Sequence, residues 1–277
     1  MSKEVVVVIG AGGIGQAIGR REGTGRIVLL ADRSEDSLRA AAASLEAGGH
    51  DVRTHPVDVA SRDSVHALAV AAAALGPVTR VIHTAGLSPV QASADAILAV
   101  DLYGVAVVLD EFGEVIAPGG AGLVISSMAG HMLPPFPAEM DAALANTPAD
   151  ELLQLSYLSA EAVTNSGVAY GIAKRANHLR VQAEAVRWGD RGARVNSMSP
   201  GIILTPLARD EMSGPGAAGY QQMIEQSAAG RVGTVDEIAT AAALLLGPDG
   251  AFITGTDLLI DGGVIAAIGA GRIQLSM

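Results

Sequence analysis

The feature that most restricts this chain is its rhythm, in which short apolar runs rich in β-branched residues keep giving way to alanine-rich stretches with helical spacing. EVVVVIG at 4–10 breaks at glycines and passes into GQAIGRR, and GRIVLLADRS at 25–34 leads into a helix from Glu35 to about Ala47. DVRTHPVDVAS (51–61) precedes DSVHALAVAAAALG (63–76), and RVIHTAG (80–86) precedes a helix from about Ala94 to Val115. The pattern continues with GAGLVISSMAG (120–130), a helix around Tyr170, RVNSMSPG (194–201), TVDEIATAAALLLG (234–247) and TGTDLLIDGG (254–263). Such alternation predicts an α/β fold, a doubly wound parallel sheet with helices on both faces and right-handed crossovers. With 34 glycines and 3% aromatic residues, residues 1–277 suit one domain of tightly packed helices on a sheet better than a sandwich of aromatic strands.

Residues 131–167 break the rhythm. Three prolines in HMLPPFPAEM forbid regular structure there, while Thr147, Pro148 and Asp150 have the order of an N-cap, a first-turn proline and an N3 acid. Leu152, Leu155 and Leu158 would stripe the resulting helix, and Asn165 to Gly167 would stop it. A helical insertion of this length reads as a lid or binding element, or as surface padding or an oligomer contact.

A formal charge of −11 excludes the basic footprint that nucleic acid or an anionic membrane would require. Without cysteine there is no disulfide, thiol catalysis or cysteine-held zinc, which fits a reducing cytoplasm. The runs from Val5 to Ile9 and from Ala67 to Leu75 are too short for a signal core or a membrane span. The expectation is a soluble, cytoplasmic protein, mature from Met1, and no metal site stands out.

Gly10, Gly12 and Gly15 form G-x-G-x-x-G, with Gly13 and Ile14 between, directly after a strand and at a helix start. A dinucleotide pyrophosphate needs backbone amides at a helix N-terminus with no Cβ in the way. Asp32 ends the next strand, where a carboxylate can accept both adenosine ribose hydroxyls and repel a 2′-phosphate. NAD is therefore the expected cofactor and NADP the less favoured one, although Arg33 could pair a phosphate. Asp58 reads either as a cap for the helix starting at Ser61 to Asp63 or, with Val59, as a residue near the adenine.

AYGIAKRANHLR (169–180) places Tyr170 and Lys174 four residues apart, on one side of a helix. A free phenol, with a pKa of about 10, is a poor base at neutral pH. A neighbouring ammonium favours the phenolate and makes the pair usable for proton transfer. For an isolated pair of this kind, a surface tyrosine beside a solvated lysine would be the usual reading.

From Val5 to Gly263 the sequence resembles the short-chain dehydrogenase/reductase family, through GAGGIG, HTAG, VISSMAG, YGIAK, SPGIILTP and FITGTDLLIDGG in that order. The resemblance implies a single Rossmann-like domain that passes hydride between a nicotinamide and an alcohol or ketone. It implies that Ser127 bonds the substrate oxygen, that Tyr170 exchanges its proton and that Lys174 also holds the nicotinamide ribose. It places Pro200, Gly201, Ile203 and Thr205 by the carboxamide, and Thr84, Ala85 and Gly86 beside the adenosine half. Ser126 reads as a strand-end hydroxyl bonded to backbone.

Three departures stand out from the family pattern. The glycine loop is one residue shorter than usual. His83 and Thr84 replace two asparagines, and His83 reads as structural. In VDLYG, Asp101 stands where the family commonly has an asparagine that holds a water of the proton relay, so Asp101 joins the catalytic candidates, placing a negative charge that could pair with Lys174.

Residues 205–225, rich in glycine and proline, read as a hinged substrate loop. With Met132, Leu133 and the leucines of the insertion, they suggest an apolar pocket for a hydrophobic secondary alcohol or ketone, steroid-like or terpenoid. The apolar tail VIAAIGAG would suit an interface in a homo-oligomer, a tetramer or dimer. Two other readings remain. An epimerase or dehydratase of this fold normally carries a longer C-terminal substrate domain, and a non-catalytic nucleotide sensor has no need of Ser127, Tyr170 and Lys174.

Overall fold

The computed structural model describes residues 3–214 and 216–274. The chain runs β1 (Val5–Ile9), α1 (Gly13–Glu22), β2 (Ile27–Asp32), α2 (Glu35–Ala47), β3 (Asp51–Pro56), α3 (Arg62–Leu75) and β4 (Val78–His83). Next come α4 (Ala94–Ile97), a π-helical turn (Leu98–Tyr103), α5 (Gly104–Val115), β5 (Ile116–Ile125), α6 (Ala138–Asn146), α7 (Ala149–Leu152) and α8 (Ser166–Asp190). The last part comprises β6 (Arg194–Pro200), α9 (Pro206–Ser213), α10 (Ala217–Gln226), α11 (Val235–Leu246), β7 (Asp257–Ile260) and α12 (Val264–Gly269).

The seven strands form one parallel sheet in the order β3-β2-β1-β4-β5-β6-β7. This is the doubly wound arrangement the alternation predicts. The inner strands β1 (VVVVI) and β2 (IVLLAD) read as nearly unbroken apolar runs because both faces are covered, whereas the edge strand β3 (DVRTHP) is mostly polar. Val5, Val7 and Ile9 point into a layer with Leu68, Phe112 and Trp188 of α3, α5 and α8, whereas Val6 and Val8 meet Ile18, Leu38 and Ile238 of α1, α2 and α11. Strand order reverses between β1 and β4, so their C-terminal ends open the crevice where ligands of such sheets bind. Among the described residues, no helix is long and apolar enough to cross a membrane.

Several local expectations are corrected. The helix expected from Ala94 to Val115 contains the π-helical turn, and that turn carries Asp101. In the insertion, Thr147 does not open a helix. It is extended and closes α6, its amide donating to the Ala143 carbonyl, because a residue before proline is driven out of the helical region. The prolines end at Pro137, just before α6 begins, and α7 is one short turn. Asn165 starts a helix rather than stopping one, since its side chain accepts from the Val168 amide at 2.8 Å and caps α8.

Residues 205–225 are helical in α9 and α10 rather than a loop, and Pro215 between them lies outside the described residues. The C-terminal apolar tail forms α12, whose Val264 and Ala267 pack inside the chain against Met128 and Ile202, with Tyr220 and Met223 of α10 alongside.

Candidate active site

The glycine turn after β1 is shaped by its neighbours. Gly10 has φ +104°, and a Cβ there would stand 2.6 Å from the Ala85 amide nitrogen and the Thr84 hydroxyl. Thr84 Oγ1 donates to the Gly10 carbonyl at 2.9 Å, tying the end of β4 to the turn. A Cβ on Gly15 would meet the Gly10 carbonyl oxygen, so both residues serve close packing. Gly12 differs, because nothing lies within 4 Å of where its Cβ would stand. The open space over Gly12, at the N-terminus of α1, fits a pyrophosphate.

That space belongs to a cavity of about 760 Å³ lined by Gly10, Gly12, Gly13, Ile14 and Gly15 from the turn. Asp32 and Arg33 enter from the end of β2, Asp58 and Val59 from beyond β3, and Thr84, Ala85 and Gly86 from beyond β4. The Asp32 carboxylate is fixed by the Ala11 amide at 2.8 Å and the Ser34 amide at 2.9 Å. Ser61, not Asp58, caps α3, whereas Asp58 accepts from the Ala60 amide at 3.0 Å and lines the cavity. The sequence reading missed Ser34, Val57, Leu87 and Val100 on this wall, since no spacing or residue type marks them.

Helix α8 carries Tyr170, half-buried, and one turn later Lys174, which is buried. Lys174 Nζ lies 5.1 Å from the centre of the Tyr170 ring and 2.9 Å from Asp101 Oδ2. Asp101 is fully buried, and its Oδ1 accepts from the Leu87 amide at 2.7 Å. Burial alone would push the Lys174 ammonium down, but the Asp101 carboxylate and the Tyr170 phenol more than reverse this and hold it above its ordinary value. The pairing inferred for these two residues is present.

Ser126 and Ser127 follow β5 with divided tasks. Ser126 Oγ donates to the Lys174 carbonyl at 2.9 Å and clamps the strand end to α8. Ser127 Oγ accepts from the Ala129 amide at 3.2 Å, capping a 3-10 turn over Met128–His131, and reaches the second cavity. That cavity, of about 350 Å³, is lined by Ser127, Tyr170, Lys174 and Asp101, with Pro200, Gly201, Ile203 and Thr205 after β6. The two cavities share Ile14, Thr84, Gly86, Leu87 and Thr205, so a ligand can extend from one into the other.

Apolar walls come from Met128, Met132, Ile202, Ala208 and Met223. The insertion's leucines are elsewhere: Leu144, Leu152 and Leu158 are buried in the core, and Leu133 packs against Gly171. Only Met132 and Gly167, near the ends of the 131–167 segment, line the cavity. His83 lines neither cavity. Burial, together with the Lys174 ammonium, pushes its ring down to about 3, so it stays neutral.

Residues 4–139 match the family described as short chain dehydrogenase, and residues 138–265 the one described as enoyl-(acyl carrier protein) reductase. The chain is 42% identical over 267 residues to a short-chain dehydrogenase/reductase, bsc3, of Alternaria brassicicola, covering 96% of this chain and 97% of the relative. It is 30% identical over 272 residues to D-threitol dehydrogenase of Mycolicibacterium smegmatis, covering 94% and 92% respectively. Among solved structures, a short-chain dehydrogenase/reductase from Serratia marcescens BCRC 10948 superposes with a TM-score of 0.74 at 25% identity, covering 95% of this chain and 98% of that one.

Proposed function

Since the chain belongs to the short-chain dehydrogenase/reductase family of oxidoreductases, we propose that it interconverts a hydrophobic secondary alcohol and its ketone with NAD. The observation that carries this reading is that Ser127, Tyr170 and Lys174 open onto one cavity joined to the glycine-lined one. When bound across the two, the nicotinamide dinucleotide supplies or accepts the hydride.

The remaining work falls to the chain's own side chains. Lys174 keeps its proton and faces the Tyr170 ring, where its charge stabilises negative charge on the phenolic oxygen. Tyr170 then takes the proton of an alcohol, or returns one to a ketone oxygen. The Ser127 hydroxyl donates to that same oxygen as charge develops on it. Asp101 holds the ammonium in register and offers an acceptor for a water leading the proton away.

For the cofactor, the fixed Asp32 carboxylate is suited to accept the adenosine ribose hydroxyls and repels a 2′-phosphate, while exposed Arg33 works in the opposite sense. For the substrate, Met128, Met132, Ile202 and Met223 give the cavity an apolar wall beside the Ser88, Thr205 and Tyr220 hydroxyls, which favours a substrate with an apolar body. The helices α9 and α10, contributing Ala208, Tyr220 and Met223, cover this side of the cavity.

The test is absorbance at the reduced nicotinamide band with NAD or NADP and a panel of hydrophobic secondary alcohols, with a polyol for contrast. Turnover should favour NAD and the apolar alcohols. In Tyr170→Phe it should fall by roughly 10³-fold or more while NADH binding persists. Asp32→Ala should narrow the preference for NAD. Cofactor binding without turnover on any alcohol or ketone would overturn the catalytic reading, and a wild-type preference for NADP would overturn the role given to Asp32.

A further inference from the structure

We propose that His131, His178 and Asp257 form a binding site for a single divalent transition-metal ion of the zinc type, set behind the reactive cavity. The three residues come from separate elements: His131 closes the 3-10 turn begun at Ser127, His178 stands on α8 one turn beyond Lys174, and Asp257 opens β7.

Their donor atoms converge. His131 Nε2 lies 2.8 Å from Asp257 Oδ2, His178 Nε2 lies 3.6 Å from Oδ1, and one donor atom from each residue falls within 4.8 Å of the others. Zinc bonds of about 2.0–2.2 Å in tetrahedral geometry set ligand atoms roughly 3.4 Å apart, so small side-chain movements close the set on an ion. The ring centres are 4.6 Å apart; His131 Nε2 meets Asp257 Oδ2, and His178 Nε2 is hydrogen-bonded to Ser199 Oγ at 2.8 Å, a bond that an ion shared with the carboxylate would replace. Two imidazoles and one carboxylate suit zinc rather than calcium or magnesium, which take mostly oxygen.

The surroundings resemble the outer shell of a metal site. Ser197 and Ser199 hydroxyls donate to Asp257 Oδ1 at 2.7 and 3.0 Å and fix the carboxylate. A Cβ on Gly130 would stand 2.7 Å from His178 Cε1, so the backbone closes over that ring. The side chains of His178 and Asp257 are 11% and 9% exposed, while His131, at 30%, leaves an approach for the ion and room for a water as fourth ligand. A bound ion would join the turn that holds Ser127 to the helix that holds Tyr170 and Lys174. It acts as a clamp, whichever substrate the cavity takes.

Full-length protein stripped with a chelator and dialysed against Zn²⁺ should take up one equivalent per chain. His131→Gln, at the accessible edge of the site, should weaken that uptake by about 10-fold or more, and Asp257→Asn likewise. Co²⁺ should give visible absorption bands in the wild type that His131→Gln lacks, and Zn²⁺ should raise the melting temperature of the wild type but not of that variant. Absence of saturable uptake at one equivalent would overturn the proposal. So would uptake that survives His131→Gln and disappears instead in His66→Gln, which removes the exposed His66–Glu111 pair.

Discussion

Lys174 and Asp101 lie 2.9 Å apart with side chains 5% and 0% exposed, so each ion offsets much of the cost of burying the other. The carboxylate also cancels part of the positive field that Lys174 directs at the Tyr170 ring. Replacing it by its neutral isostere separates the two effects, since the side-chain carbonyl introduced by Asp101→Asn still offers an acceptor to the Leu87 amide while the charge is gone. The uncompensated ammonium should then stabilise negative charge on the phenolic oxygen more strongly, which moves the acidic limb of alcohol oxidation to lower pH by about one unit. Lys174 stays above its ordinary value only because Asp101 and Tyr170 outweigh burial, so the same substitution should also bring the alkaline limb down. The measurement is kcat against pH for both proteins with a saturating alcohol. Superimposable profiles would mean that the carboxylate positions Lys174 without tuning the proton transfer.

At the scale of elements, the sequence was legible wherever one periodicity ran unbroken and opaque wherever a tertiary contact overrode it. The apolar inner strands, the glycine turn and the placing of Tyr170 and Lys174 on one side of a helix follow from local spacing, while the roles of that pair came from the order of the motifs around it. The insertion does not, because its course is set by long-range anchors. Buried Arg180 on α8 donates through Nη1 to the carbonyls of Leu144 at 3.1 Å and Thr147 at 2.9 Å, and Leu152 and Leu158 are drawn into the core in separate turns. No pattern within 131–167 announces an arginine more than thirty residues away. The His131, His178 and Asp257 cluster was invisible for the same reason, since its members are spread over three elements. Arg180→Met keeps the packing volume but leaves both carbonyls without that donor, which should cost about 1–3 kcal/mol. Urea unfolding would read the loss, and limited proteolysis should show new cleavage between α6 and α8. An unchanged midpoint together with an unchanged digest would mean that the leucines alone hold the insertion.

For the molecule as a whole, acid stability is governed by what its centre refuses to protonate. His83 ends β4, the strand beside the switch point, and is 2% exposed between the two helical layers. Burial, and secondarily the Lys174 ammonium that is itself paired with Asp101, push its ring down to about 3. In the unfolded chain the same ring titrates near its ordinary value of about 6.5. Below that pH the unfolded state binds a proton that the folded state declines until about pH 3, so this contribution to stability is complete above about 6.5 and falls as the pH drops towards 3. The slope for one such group is at most about 1.4 kcal/mol per pH unit. Because the ring sits at the middle of the sheet, only broad unfolding exposes it, and the effect belongs to the global transition rather than to a local opening. Replacing His83→Asn removes the titrating group while keeping a polar side chain of similar reach. Whatever that change does to stability at pH 7, the loss between pH 6.5 and pH 4.5, followed by urea unfolding, should be smaller in the variant by roughly 1–3 kcal/mol. Parallel pH dependences in the two proteins would mean that the ring takes up its proton in the folded state, with the Lys174–Asp101 pair rearranging to admit a third charge.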